Sequence, residues 1–257
     1  MKVITIANQK GGIGKTTTAL CLGAELESKG YRVLYIDLDA QNDTSRTLNA
    51  DLTKAGSYEL LAERKPAREV LQITQDGRHV IASSDKFTGI NATLNEPKNQ
   101  PGKEFILRES LSSIQSDYDF VIIDTAKDLN TATINALTCT DYLIISTIAD
   151  TFSTNGIATL LSVTDVIKQY TNKNLKVAGV LLTRYNDRSN INRAFKEEIS
   201  SLAAEYNTKV FNTFIRENIA IRESQALKQP ITEYAPKSNG NIDYLNFTDE
   251  LLKEIEG

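Results

Sequence analysis

The stretch NQKGGIGKTT, residues 8–17, packs two lysines, three glycines and two threonines into ten positions. That mixture suits the holding of a polyphosphate. Glycines let the backbone curl until its N–H groups converge on an anion. A helix starting just behind them adds the positive end of its dipole. Gly11, Gly12, Ile13 and Gly14 supply the curl. Lys15 is the candidate for the β- and γ-phosphates, Thr16 for Mg²⁺ and Thr17 for the α-phosphate. The run departs from the common phosphate-loop pattern G-x-x-x-x-G-K-[ST]. Gln9 stands where the first glycine belongs, and a second lysine, Lys10, follows it.

Two carboxylate motifs follow. YIDLDAQND (35–43) ends a β-branched run on Asp37 and Asp39. Acids at the carboxyl end of a strand lie where open α/β sheets keep their ligands. Asp39, farther out, is the candidate for orienting an attacking water, and Asp37 for supporting the Mg²⁺ shell or the loop. FVIIDTAKD (120–128) places Asp124 after four apolar residues, an arrangement that holds Mg²⁺, usually through water. The candidate metal set is Thr16, Asp124 and Asp39, the last also the water-orienting candidate.

Such residues need a scaffold that brings strand ends together. Short apolar runs at 2–7, 32–37, 79–83, 120–124, 142–146, 176–183 and 209–215 read as strands, most of them apolar throughout and so covered on both faces. Helical patterns lie between them, at 16–28 (Leu20, Leu22, Leu26), 105–114 and 191–206 (Ile191, Phe195, Ile199, Leu202). A closing helix over 241–257 carries Ile242, Leu245, Leu252 and Ile255. The stretch 86–103 reads as a surface loop or short helical excursion. Strand–helix alternation predicts an α/β fold: a single P-loop domain over residues 1–257, with a mostly parallel twisted sheet and helices on both faces.

Composition narrows the function classes. The chain has 257 residues, 40% hydrophobic and 24% charged, enough for one large core. Cys21 and Cys139 stand far apart in apolar surroundings and read as buried, inert thiols. No signal-peptide profile or membrane-length apolar run is present, so a cytoplasmic location is expected. A net charge of −4 argues against a general coat for nucleic acid and leaves room for a local basic patch.

KGGIGKTT, DLDAQND, YDFVIIDTAKDLNTATINAL, LLTRYN and EYAPKSNG, in this order, resemble the ParA/MinD family of deviant-Walker ATPases nearly end to end. The resemblance implies ATP and Mg²⁺ as ligands and an ATP-dependent homodimer. It also implies that Lys10 crosses to the partner subunit's nucleotide while Lys15 serves its own, and it assigns water positioning to Asp39. Many relatives have two prolines where this chain has Ala126 and Lys127. Lys127 either contacts nucleotide, partner or DNA, or is solvated. Near the adenine, relatives often have a proline and an arginine; Arg216 and Glu217 occupy those places, with Arg216 the candidate nucleotide contact. Asn186 either meets the adenine edge or serves a turn. No N-K-x-D guanine signature occurs, which favours ATP over GTP.

Charge separates the members of the family. The last fifteen residues carry five acids against Lys253, which opposes a membrane helix needing a basic face. Residues 184–237 hold nine Lys or Arg and seven Asp or Glu. Arg184, Arg188, Arg193 and Lys196, with Arg222 and Lys228, are the candidate DNA contacts, sequence-independent and made to phosphates. The chain opens directly on its first strand, so no operator-reading extension and no sequence-specific DNA binding are expected. The expected function is a Soj-like partition ATPase on the nucleoid, stimulated by a ParB-like centromere-binding protein and moving plasmid or chromosome DNA. The alternative is a MinD-like ATPase positioning a protein or membrane cargo without DNA.

Overall fold

The computed structural model describes residues 1–99 and 101–256. Its seven strands are β1 (Lys2–Ala7), β2 (Val33–Leu38), β3 (Gln72–Ile73), β4 (His79–Ile81), β5 (Phe120–Thr125), β6 (Tyr142–Thr147) and β7 (Lys176–Leu182). They form one sheet in the order β3-β4-β2-β5-β1-β6-β7. Every pairing is parallel except that of β3 with β4. The helices are α1 (Lys15–Ser28), α2 (Asp43–Thr47), α3 (Ser57–Ala62), α4 (Ala67–Val70), α5 (Ile90–Leu94) and α6 (Ile106–Leu111). After them come α7 (Thr131–Cys139), α8 (Ser153–Tyr170), α9 (Asn190–Glu205), α10 (Ile219–Ala226), α11 (Ile231–Tyr234) and α12 (Asn239–Glu256).

Continuous apolar strands bury both faces. In β2, Tyr35 joins one core with Leu22 and Leu26 of α1 and Tyr244, Phe247 and Leu251 of α12. Its neighbours Leu34 and Ile36 join a second core on the opposite face with Leu60, Leu107 and Ala136. In β6, Ile144 belongs to the first core, while Leu143 and Ile145 pack with Leu160 and Ile199 of α8 and α9. This alternation is the period-two signature of a strand under helices on both sides. The expected α/β architecture, parallel sheet and covered faces are present.

Several element expectations need correction. The run 209–215 is no strand; its backbone pairs beside β7 through isolated bridges, Val180 with Val210 and, just past the end of β7, Thr183 with Ile215. Between those bridges the backbone N–H groups of Asn212 and Thr213 donate to the Glu250 carboxylate of α12, each at 2.8 Å, instead of extending a ladder. The antiparallel edge strand β3 was too short to show as a periodic run, and β4 ends at Ile81 rather than residue 83. Ile191 and Ile242, placed on buried helix faces from spacing, are 64% and 40% exposed. The inward face of α12 is Tyr244, Phe247 and Leu251. Cys21 is buried but Cys139 only partly so. Over 86–99 the stretch takes the helical option, with Phe87, Ile90 and Leu94 buried, while residue 100 lies outside the described residues.

The topology sets the site. The chain leaves β1 for β2 on one side and returns through β5, which lies between them, before crossing to β6 on the other side. The carboxyl ends of β1, β2 and β5 are therefore adjacent at the point where the winding reverses, where open sheets bind ligands. Register places Asp124 of β5 opposite both Ile6 and Asp37.

Candidate functional site

The loop after β1 turns on Gly12 and Gly14, with φ of 71° and 85°. These left-handed values strain any residue bearing a Cβ, and Gly14 is also the residue that caps α1. No side chain caps that helix, so its first N–H groups face the loop. In front of it opens a cavity of about 800 Å³, lined by Gly11, Gly12, Gly14, Lys15, Thr16, Thr17, Asp39, Arg46, Lys127 and Arg184 among others.

Lys15 is buried, and its Nζ donates to the Lys10 carbonyl at 3.0 Å. Burial lowers its pKa below the ordinary lysine range, partly offset by Asp124 and Asp39. Thr16 Oγ1 donates to Asp124 Oδ2 at 2.7 Å, and Thr44 Oγ1 donates to the same oxygen at 2.8 Å. Asp124 Oδ1 is buried and has no partner among the described residues. An unpaired buried carboxylate oxygen beside a threonine hydroxyl is a costly arrangement that a cation or its water relieves. The residues present therefore fit Mg²⁺. Burial holds the Asp124 carboxyl above its usual range, against the hydrogen bonds from Thr16 and Thr44.

Asp37 lies next to Asp124 and is fully buried. Its Oδ2 accepts from Ser45 N at 2.9 Å and Ser45 Oγ at 2.6 Å, and its Oδ1 from Asp39 N at 3.0 Å. Burial, and then the neighbouring Asp124, raise its pKa. Its observed work is to fix the loop that carries Asp39 and to anchor α2, which of its two candidate roles is the loop-supporting one. Asp39 is half-exposed on the cavity wall, with Oδ1 accepting from Gln41 N at 3.0 Å. Nothing in the local sequence marks Thr44 and Ser45, which sit in a short helix with no apolar period. Arg46, equally unmarked, lines the cavity and donates to Asn42.

The two lysines of the loop part company. Lys10 stays outside the lining of this cavity and forms an ion pair with Asp150 of its own chain. Ser153 Oγ also donates to Asp150, at 2.7 Å. Burial would raise the Asp150 carboxyl, and the hydrogen bonds from Lys10 and Ser153 outweigh it and hold it low. Lys127 is exposed at the cavity edge.

A second cavity, about 700 Å³, is bounded by Arg184, Tyr185, Asn186, Arg188, Phe214, Arg216 and Asp243 among others. It brings together the candidate base-side residues, two of which, Arg216 and Asn186, are partly engaged within the chain. Arg216 grips Asp243, with Nη2 to Oδ1 at 2.6 Å and Nε to Oδ2 at 2.9 Å. Asn186 Oδ1 accepts from Arg188 N at 3.1 Å, the turn option for this residue. Among the candidate DNA contacts, Arg222 pairs with Glu217 at 2.6 Å and Lys196 lies over the Tyr185 ring at 5.8 Å. Arg193 donates to the Asp187 carbonyl at 3.0 Å. Among the described residues no ion pair holds Arg184, Arg188 or Lys228, and all three are exposed.

A glycine loop feeding a helix at the reversal point of a parallel sheet, with buried carboxylates beside it, defines a P-loop nucleotide-binding fold. A family model described as an AAA domain matches residues 1–177. The chromosome partitioning protein ParA of Myxococcus xanthus is 34% identical over 255 residues, covering 98% of this chain and 88% of that protein. The sporulation initiation inhibitor protein Soj of Bacillus subtilis is 31% identical over 253 residues, covering 97% and 98%. Among solved structures, the cobyrinic acid a,c-diamide synthase from Mycobacterium smegmatis with bound ADP and magnesium superimposes with a TM-score of 0.84 at 29% identity, over 100% of this chain and 96% of that one. This chain belongs to the ParA/MinD family of deviant-Walker P-loop ATPases, alongside the ParA and Soj partition proteins.

Proposed function

We propose that residues 1–257 form one ParA-like partition ATPase domain that binds ATP and Mg²⁺, closes into a homodimer, and binds DNA without regard to sequence. The observation that carries this reading is the divergence of the two loop lysines. Lys15 is buried in the nucleotide cavity, whereas Lys10, five residues earlier, faces out of it onto Asp150. A cation on the phosphate loop that does not serve its own cavity is placed to serve a second copy, in the manner of an arginine finger.

In this reading the N–H groups of the glycine loop and the start of α1 bind the phosphates, and Lys15 neutralises them. Thr16 and Asp124 hold Mg²⁺, with Asp39 beside them; the ion supplies charge compensation to the phosphates. Asp39 orients the attacking water from the cavity wall. Hydrolysis is slow until a ParB-like partner binds, and loss of the γ-phosphate releases the dimer from the nucleoid. The work is done in the cytoplasm on plasmid or chromosome DNA, through Arg184, Arg188, Arg193, Lys196, Arg222 and Lys228.

A second reading, a positioning ATPase for a protein cargo, draws support from the in-chain pairing of one candidate DNA contact, Arg222 with Glu217. A gel-shift series on unrelated DNA separates the two. The DNA reading expects binding with ATP and little with ADP or no nucleotide, weakening with salt at a log–log slope of about −0.9 per phosphate contact. Equal or absent binding in all three states removes the DNA role and leaves the cargo reading. Among the described residues no helix is long and apolar enough to cross a membrane, and flotation with anionic vesicles and ATP checks for surface binding.

A further inference from the structure

We infer that Gln225 is a positioning residue for the nucleotide: it fixes the hydroxyl of Thr17 so that its proton faces the phosphate chain. The inference rests on the ATP-site reading of the glycine loop. Gln225 lies on α10 and its Nε2 donates to Thr17 Oγ1 at 3.2 Å, across 208 residues of sequence. It is half-buried and lines both the 800 Å³ cavity and the adjoining space bounded by Gly14, Thr17, Arg184 and Arg216. Its carboxamide therefore stands where the phosphate and base sides of the site meet. Asn218 caps α10 by accepting from Ala220 N at 2.8 Å, and Ile221 anchors the helix in the core, so the amide is presented from a fixed element.

The chemistry follows from what a hydroxyl can do. It has one proton and two lone pairs. Thr16 donates its proton to Asp124, which leaves its lone pairs for a cation. Thr17 is wired the opposite way. It accepts from Gln225, which commits a lone pair and leaves its proton for an anion. Among the described residues no other partner engages Thr17 Oγ1. Neighbouring threonines at the start of one helix are thus set with opposite polarity, one by a carboxylate and one by an amide. An unanchored hydroxyl rotates among staggered positions; one held by an amide N–H is pre-oriented and loses less freedom when a phosphate oxygen arrives.

A double-mutant cycle tests this on the full chain, read by equilibrium titration with a fluorescent ATP analogue and Mg²⁺. Gln225→Met keeps the length of the side chain and removes the donor; Thr17→Val keeps the shape of its partner and removes the hydroxyl. Gln225→Met is expected to weaken binding about three- to tenfold and to cost nothing further in the Thr17→Val background. Gln225→Asn, too short to reach, repeats the measurement with the amide chemistry retained and gives the same loss. Unchanged affinity in both Gln225 variants, or equal losses with Thr17 and with Val at that position, overturns the inference while leaving the ATP site standing. A wild-type chain that fails to bind the analogue overturns the ATP-site reading itself, and this inference with it.

Discussion

The buried half of the site and its rim solve the same electrostatic problem in opposite ways. Inside, Asp37, Asp124 and Lys15 are removed from water, and their partners Ser45, Thr16 and Thr44 are uncharged hydroxyl and backbone groups. At the rim, Lys10, Arg216 and Arg222 are each matched to a carboxylate of the same chain, Asp150, Asp243 and Glu217. The interior leaves one demand unmet, the unpartnered Asp124 Oδ1, that a ligand cation satisfies. Of the rim pairs, Arg222–Glu217 is exposed on both sides and worth only about 0–1 kcal/mol, Lys10–Asp150 is partly exposed, and Arg216 grips a buried Asp243. The interior is thus arranged to hold a cation and phosphates within one chain, and on the proposed reading the rim exchanges its internal partners for another molecule.

Breaking the interior costs most. Asp39→Ala is expected to retain ATP binding and to lower steady-state phosphate release by roughly 10²–10⁴, the usual span for losing a positioned acid–base group; an unchanged rate points instead to a nucleotide switch without useful turnover. Lys15→Ala is expected to weaken ATP binding by roughly 10² or more, as removal of a buried charge partner does, seen in the same titration.

The interior pair also leaves a signature in stability. Both carboxyl pKa values lie above the unfolded value of about 4. The folded chain thus holds protons that the unfolded chain has released. That contribution to stability is complete below about pH 4 and is lost as pH rises through the raised folded values. Nucleotide-free protein without Mg²⁺ should melt at progressively lower temperature from mildly acidic to neutral pH. Asp37→Asn should flatten the slope. A slope no different from that of wild type in this variant refutes the buried-pair explanation.

Breaking the rim costs least. Asp150→Asn frees Lys10 and is expected to raise ATP-dependent dimer formation by at most about fivefold, the ceiling for a partly exposed pair; sedimentation with a non-hydrolysable analogue reads it. A large loss of melting temperature would show instead that the pair holds the fold.

What was legible in the sequence divides along the same line. The phosphate side is written in contiguous patterns: glycines before a helix, and apolar strands ending on Asp37 and Asp124. Local spacing carries such features because strand ends in a parallel sheet gather at one edge. The rim is assembled from distant segments. Asp150 is 140 residues from Lys10 and Gln225 is 208 from Thr17, and no periodicity announces either meeting. Glu250 taking the N–H groups of Asn212 and Thr213 is the same kind of event, and it is why an expected strand dissolved into bridges. Arg216 could be placed at the base side from its motif but not paired, since its partner Asp243 lies on α12.

The claim that Lys10 serves the other subunit is tested most directly by mixing two crippled chains. Lys10→Ala and Asp39→Ala variants are each expected to hydrolyse little ATP alone. Mixed with ATP and Mg²⁺, they form heterodimers in which the Lys10→Ala subunit keeps Asp39 and receives Lys10 from its partner. Phosphate release should then rise well above the sum of the two separate rates. If Lys10 acts within its own chain, no heterodimer contains a complete site, and a mixture no faster than that sum contradicts the account.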